Sequence, residues 1–517
     1  MIRGDETLVI TAAEQRRLDD LAVKLGVGVS DLVESAGRGA AEWIERHVHA
    51  HRIAVFAGPG GNGADALVVA RALAEKGLSV RAFLVGDPER RSAAARDALE
   101  RLEARGIEAT PAEPGCAATE EALTWASAVV DGLTGTGLSR PLDGAMAELA
   151  EGFGRSEARV VSLDVPSGVL ADVGDLNGPA VRADVTLAMF ALKPAHLLFP
   201  AAGLCGNVAV VSVAYPERAL QSVVSWARVA GRPGVRRRLP MRRPDGHKGT
   251  FGRVLVVAGS RGMTGSAILA CRSALRAGAG LVTLVLPASL APIANGAAPE
   301  VITVAAPERD GALAAGTADA VGPQLARADV LAIGPGLGRD LETSSEIVRL
   351  LGECRGPVVL DADAFVALRG EPARLAELGG RVIATPHPGE LALWTGEDAA
   401  GIDRRRVQAA RQFADRYGVL TLLKGRPTVI AEPEGSLYLN PTGNSGLATA
   451  GSGDVLTGML AGLLAGGASP PDAAVTAAFV HGLAAERFAS TGAERSLVAS
   501  DVVDLLPAAF REVERCD

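Results

Sequence analysis

The stretch VFAGPGGNGADALVVAR, residues 55–71, reads as a buried strand, a glycine-rich turn and the opening of a helix. In a doubly wound sheet such a unit brings backbone N–H groups and the positive end of a helix to the C-terminal edge of the strands, where a phosphate can sit. The turn lacks G-K-[ST] and is not a P-loop. Taken alone, tight packing of helix on strand would also account for its glycines. Outward from it, the N-terminal segments AAEQRRLDDLAVKLG and SDLVESAGRGAAEWIERHV read as helices, and RIAVFAG (52–58) opens the strands. Apolar runs at 79–86, 127–132, 158–164 and 183–189 follow, separated by helix-length segments. That alternation predicts an α/β fold with helices on both faces of a parallel sheet. It begins again with RVLVVAGS, LVTLVLP, VLAIGPG, PVVLDAD, RVIATPH and GVLTLLKG. No short period appears, which excludes solenoids and propellers.

A chain of 517 residues holds two to four domains at about 100 to 200 residues each. The seam lies between Tyr215 and Lys248, where GRPGVRRRLPMRRPDGHKG has no apolar periodicity, so domains are expected at 1–225 and 226–517. Its arginines, Arg236 to Arg238, Arg242 and Arg243, read as a solvated linker or interface strand ahead of an anion-binding patch. The 52 basic and 60 acidic residues are interspersed, which argues against nucleic acid or a membrane surface and for small-molecule partners. Apolar residues make up 48% and aromatics 3%, so Ala, Val and Leu must build the core. Cys116, Cys205, Cys271, Cys354 and Cys516 form no C-x-x-C pair and read as free thiols of a reducing cytoplasm. Asp5 and Glu6 stand where a signal peptide needs a basic start, and stretches such as Val455–Ala468 are too short to span a bilayer. A soluble cytoplasmic protein is expected, as a homo-oligomer. Only Lys24, Lys76, Lys193, Lys248 and Lys424 are lysines, so each retained lysine marks a place where a compact charge is wanted.

In the first half, VVDGLTGTGLSRP (129–141) and VVSLDVPSG (160–168) are strands ending in Asp and a glycine-bearing turn, and TLAMFALKPA (186–195) ends in Lys193. A parallel sheet gathers these ends on one edge. With the turn at Gly61 they resemble the NAD(P)H-hydrate epimerase family over nearly all of residues 8–215, by G-x-G-N-N-G-G-D-G, D-x-x-x-G-T-G, D-x-P-S-G and L-K-P. The resemblance implies a Rossmann-like domain that inverts C6 of the hydrated ring in NADHX or NADPHX. It implies K+ ligands at Asn62, Asp131 and Ser167, and substrate contacts from Gly61, Asn62, Gly63, Ala64 and Asp65. Further contacts are implied for Gly135, Thr136, Gly137, Leu138, Ser139, Arg140, Pro141 and Asp164. Asp164 and Lys193 are the expected acid/base pair, the competing reading of Lys193 being an exposed strand-end charge. The chain departs from the family at Gly61-Asn62-Gly63-Ala64-Asp65-Ala66. There alanine is costly if its backbone must take positive φ or a ligand must approach closely.

In the second half, NSGLATAGSGDVLTGMLAGLL (444–464) sets GSGD before an apolar helix, so Gly451, Ser452 and Gly453 can offer amides to an anion. Asp454 at the helix start would move a proton beside a transferring phosphoryl group, or serve only as a cap. With HKGTFGRVLVVAGSRGMTGSAILACRSALRAGAGLV, IGPGLG, VLDADAF, ATPHPGE and LLKGRPTVI, residues 240–512 resemble the ADP-dependent NAD(P)H-hydrate dehydratases of the ribokinase-like superfamily. The resemblance implies nucleotide contacts from Lys424, Gly425, Arg426, Pro427, Thr428, Gly451, Ser452 and Gly453, with Mg2+ on the ADP phosphates. It implies hydrate contacts from Ala267, Gly336, His387 and Asp454, with Asp454 catalytic. His387 also reads as a satisfied loop histidine. The family's DADALN is DADAFV here, with Val366 in place of an amide.

The fold expected is therefore α/β in two domains, a Rossmann-like doubly wound sheet followed by a ribokinase-like α/β sandwich. The function expected is epimerisation of R- and S-NAD(P)HX with ADP-dependent dehydration of the S epimer to NAD(P)H, AMP and phosphate. The alternative is a kinase for a sugar or hydroxymethyl-pyrimidine-like alcohol, carrying a non-catalytic N-terminal dinucleotide-binding module.

Overall fold

A computed structural model describes residues 6–515; Asp5 and Cys516, named above, lie outside the described residues. The chain divides into two compact units, Met1–Arg228 and Val229–Asp517. Among the described residues no helix is long and apolar enough to cross a membrane.

The first unit opens with β1 (Glu6–Val9) and helices Ala12–Lys24 and Val29–His47. Thr11 caps the former by accepting from Glu14 N at 3.2 Å. Seven parallel strands follow: β2 (Arg52–Ala57), β3 (Ser79–Leu84), β4 (Ala109–Pro111), β5 (Ala128–Gly132), β6 (Arg159–Leu163), β7 (Val185–Met189) and β8 (Asn207–Val211). Their order is β4-β3-β2-β5-β6-β7-β8. The direction of winding reverses between β2 and β5, and there a crevice opens at the strand ends. Alternation along β2 sends Ile53 and Val55 to one core layer with Leu67 and Val69, and Phe56 to the other with Phe83 and Phe153. Expected strands and helices recur at their sites with one exception. Between β6 and β7 no helix forms across residues 164–184, where Pro166, Gly168, Gly174, Gly178 and Pro179 interrupt every helical run.

In sequence the seam is not featureless. It contains β9 (Ala227–Ala230) and helix Arg232–Arg238. Arg238 is buried, donates to Gly234 O at 2.9 Å, and lies against Tyr438 and Asp472. For Arg238 the solvated-linker reading is wrong, because its guanidinium is absorbed into packing. Arg242 lies over the Phe251 ring and Arg243 pairs with Asp245.

The second unit adds β10 (Arg253–Val257), β11 (Leu281–Pro287), β12 (Ile302–Ala306), the hairpin β13 (Glu308–Arg309) and β14 (Ala312–Leu313), and β15 (Val330–Ile333). It continues with β16 (Val358–Leu360), β17 (Val382–Ala384), β18 (Leu420–Leu423), β19 (Val429–Ala431) and β20 (Leu437–Leu439). The order β20-β19-β18-β17-β16-β15-β10-β11-β12 is parallel as far as β18, with β19 and β20 antiparallel. Winding reverses again, between β10 and β15. Helices Thr264–Arg276, Ser452–Ala465 and Pro470–Ala489 cover one face. Gly458 lets the first two cross closely, since a Cβ there would stand 2.0 Å from Ala270 O.

Candidate active sites

In the first unit the crevice is made by close approach of backbone. A Cβ on Gly63 would lie 1.8 Å from Gly58 O, so the helix Gly61–Glu75 starts directly on the end of β2. The cost expected at Ala64 and Ala66 from positive φ does not arise. Both are buried in regular helix and neither has positive φ, because the helix already begins at Gly61. Gly61 is its first residue, and a Cβ added there meets nothing within 4 Å.

Asp131, at the end of β5, is fully buried and accepts from Ser162 Oγ at 2.7 Å, Ser167 N at 2.9 Å and Ser167 Oγ at 2.6 Å. Burial pushes its carboxyl up, against these hydrogen bonds. Asn62 donates through Nδ2 to Thr134 O at 2.8 Å, and Thr134 O stands 3.1 Å from Ser167 Oγ. Among the described residues Asn62 Oδ1 is buried with no hydrogen-bond partner. Asn62, Asp131 and Ser167 are thus brought together with Thr134, which sequence reasoning missed. One carboxylate among neutral oxygens, with an orphaned amide oxygen, fits a hard cation. Gly135 packs on Asn62, and the remainder of the loop through Thr136, Gly137, Leu138, Ser139, Arg140 and Pro141 runs outward to the surface.

Asp164 and Lys193 meet. Lys193 is fully buried and Nζ donates to Asp164 Oδ1 at 2.6 Å, Met189 O at 2.8 Å and Ala191 O at 3.1 Å. This excludes the exposed-charge reading and engages all three ammonium protons. Asp164 has φ of 63°, a rare conformation for a non-glycine residue. It is held by its N–H on Leu187 O at 2.8 Å and by His196 Nε2 donating to Asp164 O at 2.8 Å. Burial, then the Lys193 ammonium, lowers His196 to about 4, so the ring is neutral, and its Nδ1 accepts from Lys193 N at 3.0 Å. Asp65 faces the same charges. Burial, then the carboxylates of Asp164 and Asp19, hold it well above the usual range. Burial also raises Asp19, opposed by hydrogen bonds from Tyr215 and Gln15. Three carboxyls around one lysine cannot all ionise cheaply. Asp19 and Tyr215 carried no sequence signal, since each sits inside an ordinary amphipathic or loop segment.

In the second unit the helix Ser452–Ala465 begins at Gly451, whose φ is 85°. His481 lies beneath, its Nε2 3.1 Å from Ser452 O, and burial lowers it to about 4. It therefore donates as a neutral ring and fixes the first turn; nothing in the sequence announced it. A Cβ on Gly453 would come within 3.4 Å of Lys424 Nζ, which places the ammonium at the amide pocket. Lys424 itself is anchored by its N–H on Pro386 O at 2.9 Å, joining the KGRPT and TPHPGE loops. Gly425 packs against the Arg406 guanidinium, which donates to Pro427 O at 2.6 Å, while Thr428 Oγ1 returns to Gly425 O at 3.2 Å and Arg426 is exposed.

Asp454 is raised to about 6, first by burial and then by Asp361 and Asp363, against a hydrogen bond with Ser266 and the Lys424 charge. Ser266 precedes Ala267, and Gly336 packs on Met263 and Ser266. Gly336 therefore reaches the Ser266 that hydrogen-bonds Asp454, while Ala267 is fully buried against Gly259. His387 is half exposed and caps helix Pro388–Thr395, accepting through Nδ1 from Gly389 N at 3.0 Å and Glu390 N at 3.2 Å. The satisfied-loop reading describes Nδ1, while the half-exposed face of the ring stays open to a ligand.

Residues 254–508 match the family model described as NAD(P)H-hydrate dehydratase, and residues 29–195 match that of the YjeF-related protein N-terminus. The bifunctional NAD(P)H-hydrate repair enzyme Nnr of Moorella thermoacetica is 39% identical over 98% of this chain and 97% of its own. That of Thermofilum pendens is 37% identical over 97% and 96%. An ADP/ATP-dependent NAD(P)H-hydrate dehydratase of Bacillus subtilis, co-crystallised with ATP/Mg2+, is 32% identical with a TM-score of 0.46, over 55% of this chain and 98% of that one. On its end-to-end similarity to the Moorella and Thermofilum enzymes, and on both halves matching in order, the chain belongs to the family of bifunctional NAD(P)H-hydrate repair enzymes.

Proposed function

We propose that the first unit interconverts the R and S epimers of NADHX and NADPHX, and that the second dehydrates the S epimer with ADP, giving NAD(P)H, AMP and phosphate. The observation that carries this reading is Asp454, a carboxyl with a pKa raised to about 6, placed at a helix N-terminus beside Lys424. Water is a poor leaving group. Asp454 takes the C6 hydroxyl proton as that oxygen attacks the terminal phosphorus of ADP, and the bond to the bridging oxygen breaks to release AMP. The C6–O bond then breaks with phosphate carrying the electron pair, and loss of a C5 proton restores the ring double bond. Lys424 and the amides of Gly451, Ser452 and Gly453 hold the phosphates, with Gly425, Arg426, Pro427 and Thr428 at the nucleotide's other side. Ala267, Gly336 and His387 line the hydrated ring. Among the described residues no cluster of His, Cys, Asp or Glu offers a protein cage for a metal, so Mg2+ would ride on the nucleotide phosphates. When bound there, it neutralises charge that develops during transfer.

In the first unit Asp164, paired with Lys193, acts as the base, and Asp65, raised by burial and by the carboxylates of Asp164 and Asp19, acts as its complement. Lys193 holds Asp164 in place, since its protons are already committed. K+ among Asn62, Asp131 and Ser167 would supply positive charge beside the substrate diphosphate. Gly61 to Asp65 and Gly135 to Pro141 would flank that diphosphate. A reducing cytoplasm suits the free thiols of Cys116, Cys205, Cys271 and Cys354. The test is an epimer mixture with ADP, followed by epimer-resolved chromatography. Consumption of both epimers supports the reading, and consumption of S alone removes the epimerase half.

A further inference from the structure

Asp361 closes β16 and is 1% exposed. Donors from three elements converge on its carboxylate. Thr385 Oγ1, after β17, lies 2.8 Å from Oδ1; Lys424 Nζ, after β18, lies 2.7 Å from Oδ1; Thr457 Oγ1, in helix Ser452–Ala465, lies 2.8 Å from Oδ2. A buried carboxylate bears a large desolvation cost, so its partners must hold it closely. The ammonium it holds is the one at Gly453, and it is also 3.8 Å from Glu390 Oε2. Thr457 lies one turn beyond Asp454. The carboxylate therefore ties the end of β18 to the helix that bears the amide pocket.

We propose that Asp361 is a positioning residue for phosphoryl transfer, fixing the Lys424 ammonium at the Gly451–Gly453 amides and locking it in register with Asp454. The proposal rests on the dehydratase reading above. Without the Asp361 charge, Lys424 is left to Glu390 and Asp454, and a lysine drawn onto Asp454 competes with the substrate hydroxyl for the base. The groups facing Asp454 are Ser266 from helix Thr264–Arg276, Asp361 and Asp363 after β16, and Lys424 after β18. Glu390 faces Lys424, and neutral His481 lies behind Ser452. Removing the Asp361 charge lowers the pH at which Asp454 ionises, because one of the negative charges opposing that ionisation is gone.

The test uses the full chain as Asp361→Asn, Lys424→Gln and the double variant. It measures thermal melting, ADP affinity by calorimetry, and kcat and KM for S-NADHX against pH. Asp361→Asn should lower kcat by about 10²-fold, the scale of a misplaced catalytic group, with the KM for the hydrate unchanged and the acidic limb moved to lower pH. In the Lys424→Gln background it should add little, because it acts through that lysine. Additive losses, or an Asp361→Asn enzyme with unaltered kcat and pH profile, overturn the proposal. Should Asp361→Asn fail to fold, Thr457→Val removes one hydrogen bond to the carboxylate and keeps every charge. It should lower kcat by about tenfold, and unchanged kcat overturns the proposal. If the wild type does not dehydrate S-NADHX, the dehydratase reading falls, and the calorimetric cycle with ADP alone still decides Asp361. Non-additive losses support its hold on Lys424, and additive ones overturn it.

Discussion

Asp454→Asn should abolish dehydration and at the same time stabilise the second unit at neutral pH. Asp454 is held at about 6 against an ordinary value of 3.8, a rise of about 2 units, each worth 1.36 kcal/mol. The sign follows from linkage. With its folded pKa above the unfolded one, Asp454 favours the fold fully below about 4, and that contribution is lost as pH rises through about 6. At pH 8 the ionised carboxylate therefore costs roughly 2 kcal/mol, after discounting the full shift for the water that reaches its open side. Asparagine keeps the shape and a hydrogen-bonding atom for Ser266, and it does not ionise. It should raise the melting temperature of the second unit by several degrees at pH 8 and by almost nothing at pH 4. Activity should fall by about 10² to 10⁴ because a general base is gone. Melting curves at both pH values, with dehydration rates at pH 8, check both halves. A variant that dehydrates at near wild-type rate, or is no more stable at pH 8 than at pH 4 relative to wild type, refutes the reasoning.

Wild-type dehydration should rise as pH passes through about 6 and level off above it, since Asp454 must be ionised to take a proton; a rate falling over that range would contradict this. His196 and His481, both lowered to about 4, stabilise their units above about 6.5, a contribution lost as pH falls toward 4. Melting temperatures that stay flat from pH 7 to 4.5 in variants lacking these rings, but fall in the wild type, would confirm it. Asn62→Ala should weaken the K+ dependence of epimerisation and leave dehydration untouched, as read from initial rates in K+ and in a larger organic cation. Gly61→Asn should fold normally, since its Cβ meets no neighbour, and should improve substrate binding by up to about tenfold through one added hydrogen bond. A loss of stability would show that Gly61 is sterically required.

The strands were legible because a buried parallel sheet demands uninterrupted apolar runs, as in β5, where every residue is buried. The motif residues were legible because the topology delivers the ends of those runs to one edge. What lay outside reach was set by tertiary packing. Arg238 reads as one of a solvated cluster, yet Tyr438 and Asp472, 200 residues on and beyond, absorb it. Ala64 and Ala66 look hazardous in a turn and harmless in a helix, and the helix that holds them starts at Gly61 with Gly63 against Gly58. Lys193 was singled out by rarity, but its three acceptors, two of them backbone carbonyls, carry no sequence signature. His196 and His481 are single histidines in apolar surroundings, which in most proteins mark nothing beyond a satisfied core position.

The most direct measurement is incubation of the full chain with separated R- and S-NADHX, ADP, Mg2+ and K+, following the near-UV absorbance of restored dihydronicotinamide while assaying AMP and phosphate. The account predicts prompt recovery from S-NADHX with one AMP and one phosphate per NADH, and recovery from R-NADHX that requires the first unit and is lost in Asp164→Asn. No absorbance from either epimer, together with transfer of phosphate from ATP to a small alcohol, would contradict it and make the second unit a kinase.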